Sequence, residues 1–422
     1  MLFRRVAALA CACALLGAPS AVAEAPRVIT LAEALKRTVA ANPRLAIAER
    51  EIGIAAGRRI QAATIPNPEI GLDVENVAGS GRYRGTRSAE TTLQIGQLIE
   101  FPGKRDARVT AASAEIETAR WQRQSERLEV LSETAVTFVR ILGAQRRIEI
   151  FDGLIASLDG MLPLLQRRID AGASSPADVS RAQVAADLIR VERERTKTAL
   201  ETARRELATL MGLTAPDFGA AVGDFGSTAR LPSVNTLMAA VDEHPQLSRW
   251  TSIRAQRRAE LLSARLRPAP DFRLSAGCRH FRETGDNAAV FGLSAAIPLW
   301  DQNQGAIIAA QETLAKTEAE RAANKATLLV VLGRAYEAAA GAQRELALLQ
   351  GSVIPKARIS IRAIEDGYAQ GRFSLLELLD TQAAFSQALQ REQEALVSFH
   401  TAIATIEWLS GTPILLTRTR LR

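Results

Sequence analysis

The segment Gly367–Asp380, "GYAQGRFSLLELLD", places two carboxylates, Glu377 and Asp380, one turn apart at the start of an otherwise apolar helix. Carboxylates in such a place can do two kinds of chemistry. One at the third helical position accepts hydrogen bonds from backbone N–H groups that lack an intrahelical partner. Several gathered at one level by symmetry raise the local cation concentration and filter by charge. Ser374 and Glu377 have capping-box spacing, so Glu377 fits the first kind. Ser175, Pro176 and Asp178 repeat the idea, with an N-cap, a proline at the first helical position and an acid at the third. Asp380 lies a full turn beyond any capping role, and its counterpart in the earlier copy is Arg181. Other candidates are sparse. His244, His280 and His400 are scattered, with no Cys/His ligand spacing. Cys278 and His280 lie two apart and share a strand face, where filling the face is a commoner role than soft-metal binding. Nucleophile motifs, a P-loop and a dinucleotide fingerprint are missing. The chain is therefore expected to be no enzyme and to hold neither cofactor nor resident metal.

These residues need elements to position them. The 422-residue chain carries a formal charge of +7. Arginine and glutamate are interspersed, as in "RQSERLE" (123–129) and "ERER" (192–195), which describes solvated helix faces rather than a nucleic-acid surface. Residues 1–23 are expected to be a removed secretory signal: Arg4 and Arg5, an apolar stretch Val6–Leu16, then Ala21-Val22-Ala23 before Glu24. Without Arg4 and Arg5 the charge falls to about +5. Cys11 and Cys13 fall inside this segment, and neither has the leucine three residues earlier that would favour a lipid anchor. The remaining chain keeps only Cys278 and cannot form an internal disulfide. With no run of 18 apolar residues after the signal, membrane insertion requires a β-barrel.

The sequence repeats itself at an interval of about 200 residues. "ANPRLAIAER" (41–50) resembles "EHPQLSRWTS" (243–252), and at the same offset "PNPEIGL" (66–72) falls on "PAPDFRL" (268–274). Further on, Gly172 matches Gly371, Gln183 matches Gln382 and Gly212 matches Gly411. The expected division is repeat one at 24–212, a linker at 213–234, repeat two at 235–411 and a tail at 412–422.

Each copy reads as helix, β-hairpin, long helix, turn, helix. Strands are expected at about 68–77, 91–101, 270–281 and 289–299, where apolar residues alternate with polar ones. Ile70, Leu72 and Val74 form one such column, and Phe291, Leu293 and Ala295 another. Long helices are expected over 104–170 and 304–369. Helix 376–410 shows two heptad columns, Leu375-Gln382-Leu389-Leu396-Ile403 and Leu378-Phe385-Glu392-Phe399-Ile406, which predict coiled-coil packing.

Lengths suggest an architecture. The long helices span about 100 Å at 1.5 Å per residue, and their returning partners about half of that. Continuous helices 31–64 and 235–266 are expected to supply the other halves. Helix 176–211 is expected to stack on 235–266, and 376–410 on 31–64. Both hairpins then lie at one end of a rod, and the turns at Gly172 and Gly371 at the other. Four strands cannot close a barrel, so three chains are expected to share twelve.

On these residues the chain resembles the TolC-like outer membrane factor family across its length after the signal. The matching segments are "IEFPGKRDAR" (99–108), "IPLWDQNQGAIIAAQ" (297–311) and "GYAQGRFSLLELLDTQ" (367–382). The second and first resemble most the branch paired with heavy-metal pumps, such as the cobalt-zinc-cadmium system. The resemblance implies a mainly α fold with a membrane β-barrel, trimeric and twelve-stranded, above a coiled-coil tube. It implies an outer membrane channel reaching into the periplasm, a passive exit duct, with a periplasmic adaptor and an inner-membrane proton-driven pump as partners. Asp380, Glu377 and Tyr368 would line or close the periplasmic entrance, with Asp178 and Arg181 beside them and Gly172 and Gly371 at the tips where the adaptor docks. An alternative is a latch between Asp380 and Arg181 of a neighbouring hairpin. Drug efflux and type I secretion are alternative tasks for such a duct. A periplasmic adaptor is the alternative of another class, although adaptors carry one helical hairpin inside a β-rich domain.

Overall fold

A computed structural model describes residues 28–172 and 174–411. The expected signal with Cys11 and Cys13, and the 412–422 tail, lie outside these residues. The elements run β1 (Val28–Thr30), α1 (Leu31–Ala41), α2 (Pro43–Ala63), β2 (Glu69–Glu75), β3 (Glu90–Ile99), α3 (Lys104–Asp170), α4 (Pro176–Leu210) and β4 (Ala220–Val222). They continue as α5 (Val234–Val241), α6 (Pro245–Leu266), β5 (Phe272–Phe281), β6 (Asn287–Ala295), α7 (Gln304–Leu348), a π-helical turn (Leu349–Val353), α8 (Ile354–Ala369) and α9 (Leu375–Ser410).

The helices form four columns. α3 runs unbroken for 67 residues, about 100 Å. Its first half packs on α2, tied by Arg44 to Glu126 and Glu133 and by Arg123 to Glu49. Its second half packs on α4, tied by Arg190 to Asp159 and Arg193 to Asp152. On its other side stand α6 and α9, through Arg249–Gln122 and Gln393–Gly143. The fourth column is α7 and α8, whose Leu328, Leu332 and Leu346 share one apolar core with Leu396, Phe399, Ile403 and Ile406 of α9. Both heptad columns of α9 thus contribute to the core, as expected.

Two expectations about the rod need correction. The helices expected at 31–64 and 235–266 are each broken, at Asn42 and at 242–244. Each break precedes a proline, Pro43 or Pro245, which disfavours helical geometry in the residue before it. Asn42 and His244 are extended, with ψ near 125° and 137°, and their side chains cap the helices that follow. The stacking partners are also exchanged. α4 ends against α2, because Asn42 Nδ2 donates to the Leu210 carbonyl at 2.8 Å. α9 ends against α6, where the Trp408 ring meets His244 edge-on at 5.9 Å. A helix C-terminus leaves carbonyls that need donors, and here the capping residue of the same repeat supplies one. The linker crosses the rod at this level, and its β4 pairs in parallel with β1.

The mid-rod joint holds two buried histidines. His400 Nε2 donates to the Phe225 carbonyl at 3.0 Å and its ring stacks on Phe225. Burial pushes the pKa of both His244 and His400 down, opposed at His400 by the Phe225 carbonyl and then Asp224, and at His244 by the Trp408 backbone. Unfolded histidine binds a proton near pH 6.5. Below that the unfolded chain therefore holds more protons than the folded one. The stabilisation is complete above about pH 6.5 and is lost as pH falls toward the folded-state values. The melting temperature should drop between pH 7.5 and 5.5, and His400→Gln should flatten the slope. An unchanged slope in that variant would remove His400 as its source.

The four hairpin strands form one sheet in the order β2-β3-β5-β6, antiparallel throughout. They are shorter than expected. β2 stops at Glu75 because Asn76 adopts a left-handed φ of 58°. β3 stops at Ile99, since the Phe101 amide donates to Asp271 Oδ1 at 2.7 Å and Pro102 has no N–H. β6 stops at Ala295, shortly before Pro298. Lys104 Nζ joins the same carboxylate at 2.9 Å, and Arg108 forks onto Glu100 at 2.5 and 2.9 Å. The "FPGKR" segment is thus the joint that turns the sheet into the rod.

Candidate functional site

The sheet has two unlike faces. One carries cross-strand rows Ile70-Ile95-Ala276-Phe291 and Leu72-Leu93-Cys278-Ala289. Side chains on this face are bare: Ile70 is 79 % exposed, Phe291 82 % and Leu293, paired with Leu274 in the next row, 68 %. The other face is polar and ion-paired. Arg279 reaches Glu75 and Glu90, both at 2.9 Å, Arg273 reaches Glu69 at 2.5 Å, and Gln94 donates to Asp73 at 2.8 Å. An exposed apolar band backed by a charged face is stable where lipid covers the first and water the second. Cys278 sits on the apolar face, and among the described residues no group of His, Cys, Asp and Glu is arranged to hold a metal. His280 bonds to Asn287 instead, at 3.1 Å.

The opposite end of the rod carries the turns. Gly172 and Gly371 have φ of 72° and 77°, a region that glycine enters without a Cβ penalty. Gly371 completes a Schellman close, its amide donating to the Tyr368 carbonyl and that of Arg372 to the Gly367 carbonyl at 2.8 Å. Both following helices begin with complete capping boxes. The Ser374 amide and hydroxyl each donate to Glu377 Oε2 at 2.8 Å, and the Glu377 amide donates to Ser374 Oγ at 3.3 Å. These bonds, the backbone one first, hold the Glu377 carboxyl below the usual range. Asp178 accepts from the Ser175 amide at 3.2 Å and also from Arg181 at 3.5 Å. Ser374→Ala should therefore lower stability by about 1 kcal/mol per chain. A melting temperature equal to that of the unsubstituted protein would show that the box contributes nothing.

Asp380 has a different environment. It is exposed and has no ion-pair partner among the described residues. It shares an exposed stripe of α9 with Leu376, Gln387, Arg391, Glu394 and Ser398. His400, which holds the linker, projects from another side of the helix. The stripe continues into a groove where Arg140 pairs with Glu206 and Arg195 with Glu192. Tyr368 is only 2 % exposed and packs among Leu165, Ile361, Leu375 and Leu378. Burial raises its phenol pKa above the usual value. The Arg168 guanidinium lies 4.8 Å from the Tyr368 ring centre, and its Nη1 donates to the Tyr368 carbonyl at 2.8 Å. Arg168 thus fastens α3 to α8. Its position one residue before Ile169 gave no sequence signal, because a cation serving a carbonyl 200 residues away leaves no local pattern.

A column bundle with solvent-exposed acids at its tips and an apolar-faced sheet at its far end defines a membrane-anchored channel protomer. The chain belongs to the outer membrane efflux protein family, whose pattern matches residues 34–213 and again 237–412. It is 29 % identical over 388 residues to the cobalt-zinc-cadmium resistance protein CzcC of Cupriavidus metallidurans, covering 92 % of this chain and 91 % of that one. It is 26 % identical over 300 residues to the nickel and cobalt resistance protein CnrC of the same organism, covering 71 % and 70 %. Its fold is shared with the Campylobacter jejuni CmeC outer membrane channel, with a TM-score of 0.75 at 13 % identity over 92 % and 88 % of the two chains. The protein is an outer membrane efflux channel that extends into the periplasm.

Proposed function

We propose that three copies of this chain form a twelve-stranded barrel above a helical tube, and that the assembly is the passive exit duct of a tripartite system exporting heavy-metal cations. The sheet carries the reading: four strands, an exposed apolar face, and unpaired edges on β2 and β6. Unpaired edges cannot persist in lipid, so neighbouring copies must supply the missing ladders. Exposed apolar residues on the outer columns suit the same assembly, notably Ile47, Val184 and Leu188 on α2 and α4, and Leu348 and Ile359 on α7 and α8. The adaptor and the inner-membrane pump would meet the tips at Gly172 and Gly371. The resistance relatives favour metal over drug cargo. Deleting the gene should raise sensitivity to cobalt, zinc or cadmium while leaving sensitivity to hydrophobic drugs unchanged. The reverse pattern would assign the duct to drug export.

In this assembly Asp380 forms a ring at the periplasmic entrance. Three carboxylates at one level attract cations, and Glu377 and Asp178 add charge beside their capping work. Asp380→Ala should lower cation-over-anion selectivity in planar bilayers without loss of trimer. If Asp380 instead latches to Arg181 of a neighbour, Asp380→Ala and Arg181→Ala should raise resting conductance equally. Recordings in which Asp380→Ala changes neither property would exclude both roles.

A further inference from the structure

The apolar face of the sheet does not end in a neutral rim. Along β5 the outward column runs Phe272, Leu274, Ala276, Cys278, His280, a rise of about 20 Å from Phe272 to Cys278 at 3.4 Å per residue. The register continues one step past the strand, because the Arg282 amide donates to the Ala89 carbonyl at 3.0 Å. Arg282 therefore extends the outward column one step beyond the Thr91-His280-Asn287 row, about 14 Å past Cys278 at 3.4 Å per residue. Loop 76–89 lies beside it and contains Arg82, Arg84 and Arg87 and no acid.

This loop is a folded object. The Ala78 amide donates to the Gly85 carbonyl at 2.9 Å and that of Gly79 to the Tyr83 carbonyl at 3.0 Å. Ser88 Oγ, buried beneath, bonds to the Arg82 carbonyl and to Glu283, both at 2.9 Å. Glu283 also occupies Arg82, at 3.5 Å. Arg84, Arg87 and Arg282 are exposed and have no ion-pair partner among the described residues. Tyr83 is exposed with them, the residue type that marks a membrane–water boundary.

We propose that Arg282, with Arg84 and Arg87, binds the phosphate groups of a phosphorylated glycolipid in the outer leaflet of the outer membrane. The proposal rests on reading the apolar face of the sheet as lipid-facing. Arg282 and the loop that carries Arg84 and Arg87 lie beyond the apolar band, across a polar row of Thr91, His280 and Asn287, at the level where headgroups meet water. The planar guanidinium forks match phosphate oxygens. The adjoining apolar rows Leu72-Leu93-Cys278 and Ile70-Ile95-Phe291 would receive the acyl chains of the same lipid. Anchoring chains and phosphates together distinguishes this surface from a site for a free anion.

The test uses purified full-length protein in detergent, first shown to form channels in planar bilayers. Lipid retention is read by native mass spectrometry with diphosphorylated lipid A, with fully dephosphorylated lipid A, and with inorganic phosphate in competition. Wild type should retain the diphosphorylated lipid at least tenfold better than the dephosphorylated form, and millimolar phosphate should not displace it. The triple variant Arg84→Gln, Arg87→Gln, Arg282→Gln should lose that preference, and the three lysine replacements should keep part of it. Equal retention of both lipids, or an unchanged preference in the glutamine variant, overturns the inference while leaving the channel intact. Ready displacement by phosphate reduces the site to a free-anion site and overturns it too. Wild-type protein that forms no channels would instead overturn the lipid-facing reading on which the inference stands.

Discussion

Replacing Leu293 with arginine should reduce the yield of membrane-inserted assembly by tenfold or more. Leu293 lies on the apolar face of the sheet, opposite Leu274, and is largely bare in the single chain. A cation on a lipid-facing strand near the bilayer midplane costs about 2–4 kcal/mol. In a threefold assembly the cost is incurred three times. The control is Gln94→Arg on the other face. Gln94 already bonds to Asp73 at 2.8 Å, so the new cation gains a carboxylate partner in water. Heat-modifiable migration of outer membrane fractions reads both variants. Equal yields for the two would mean that the faces are assigned the wrong way round.

Gly212→Ala should destabilise the protein by roughly 2–5 kcal/mol, combining the left-handed penalty with overpacking. Gly212 closes α4 with a φ of 76°. A Cβ there would fall well inside van der Waals distance of the Ala41 carbonyl oxygen, which belongs to backbone and cannot rotate away. Asn42, the next residue, holds the Leu210 carbonyl, so neither partner is free to retreat. Gly371→Ala is the comparison, since Gly371 has nearly the same φ but open space where its Cβ would lie. It should cost only the conformational penalty, about 1–2 kcal/mol. Thermal melts that match for the two variants would show that the contact between the end of α4 and the α1–α2 joint is not tight.

The features legible in sequence were those with a short period or a local signature. Alternation at Ile70, Leu72 and Val74 fixed the face of the sheet, because a side chain one residue away must point the other way. Ser374–Glu377 and Ser175–Asp178 announced their capping boxes at a spacing of three. The breaks at Asn42 and 242–244 were signalled by Pro43 and Pro245, yet the length argument needed each half-rod to be one continuous helix. The exchange of stacking partners had no local signal. It depends on a side-chain amide meeting a carbonyl 168 residues later and on a three-residue strand pairing, β1 with β4. Tyr368 illustrates the same limit. The resemblance gave it a place at the entrance, but its burial and its contact with Arg168 depend on a residue of another column.

Because α4 abuts α2 and α9 abuts α6, every column except α3 and α7 is jointed near the same height. Below that height the protein is two antiparallel hairpins, the lower half of α3 with α4, and the lower part of α7 continued by α8 with α9. A hairpin keeps its contacts when whole heptads are added to both arms. Seven residues inserted into each of the four arms would lengthen the duct by about 10 Å. The caps, the joint and the sheet would stay as they are. The reach of the channel across the periplasm is thus an adjustable dimension, separable from its seat in the membrane.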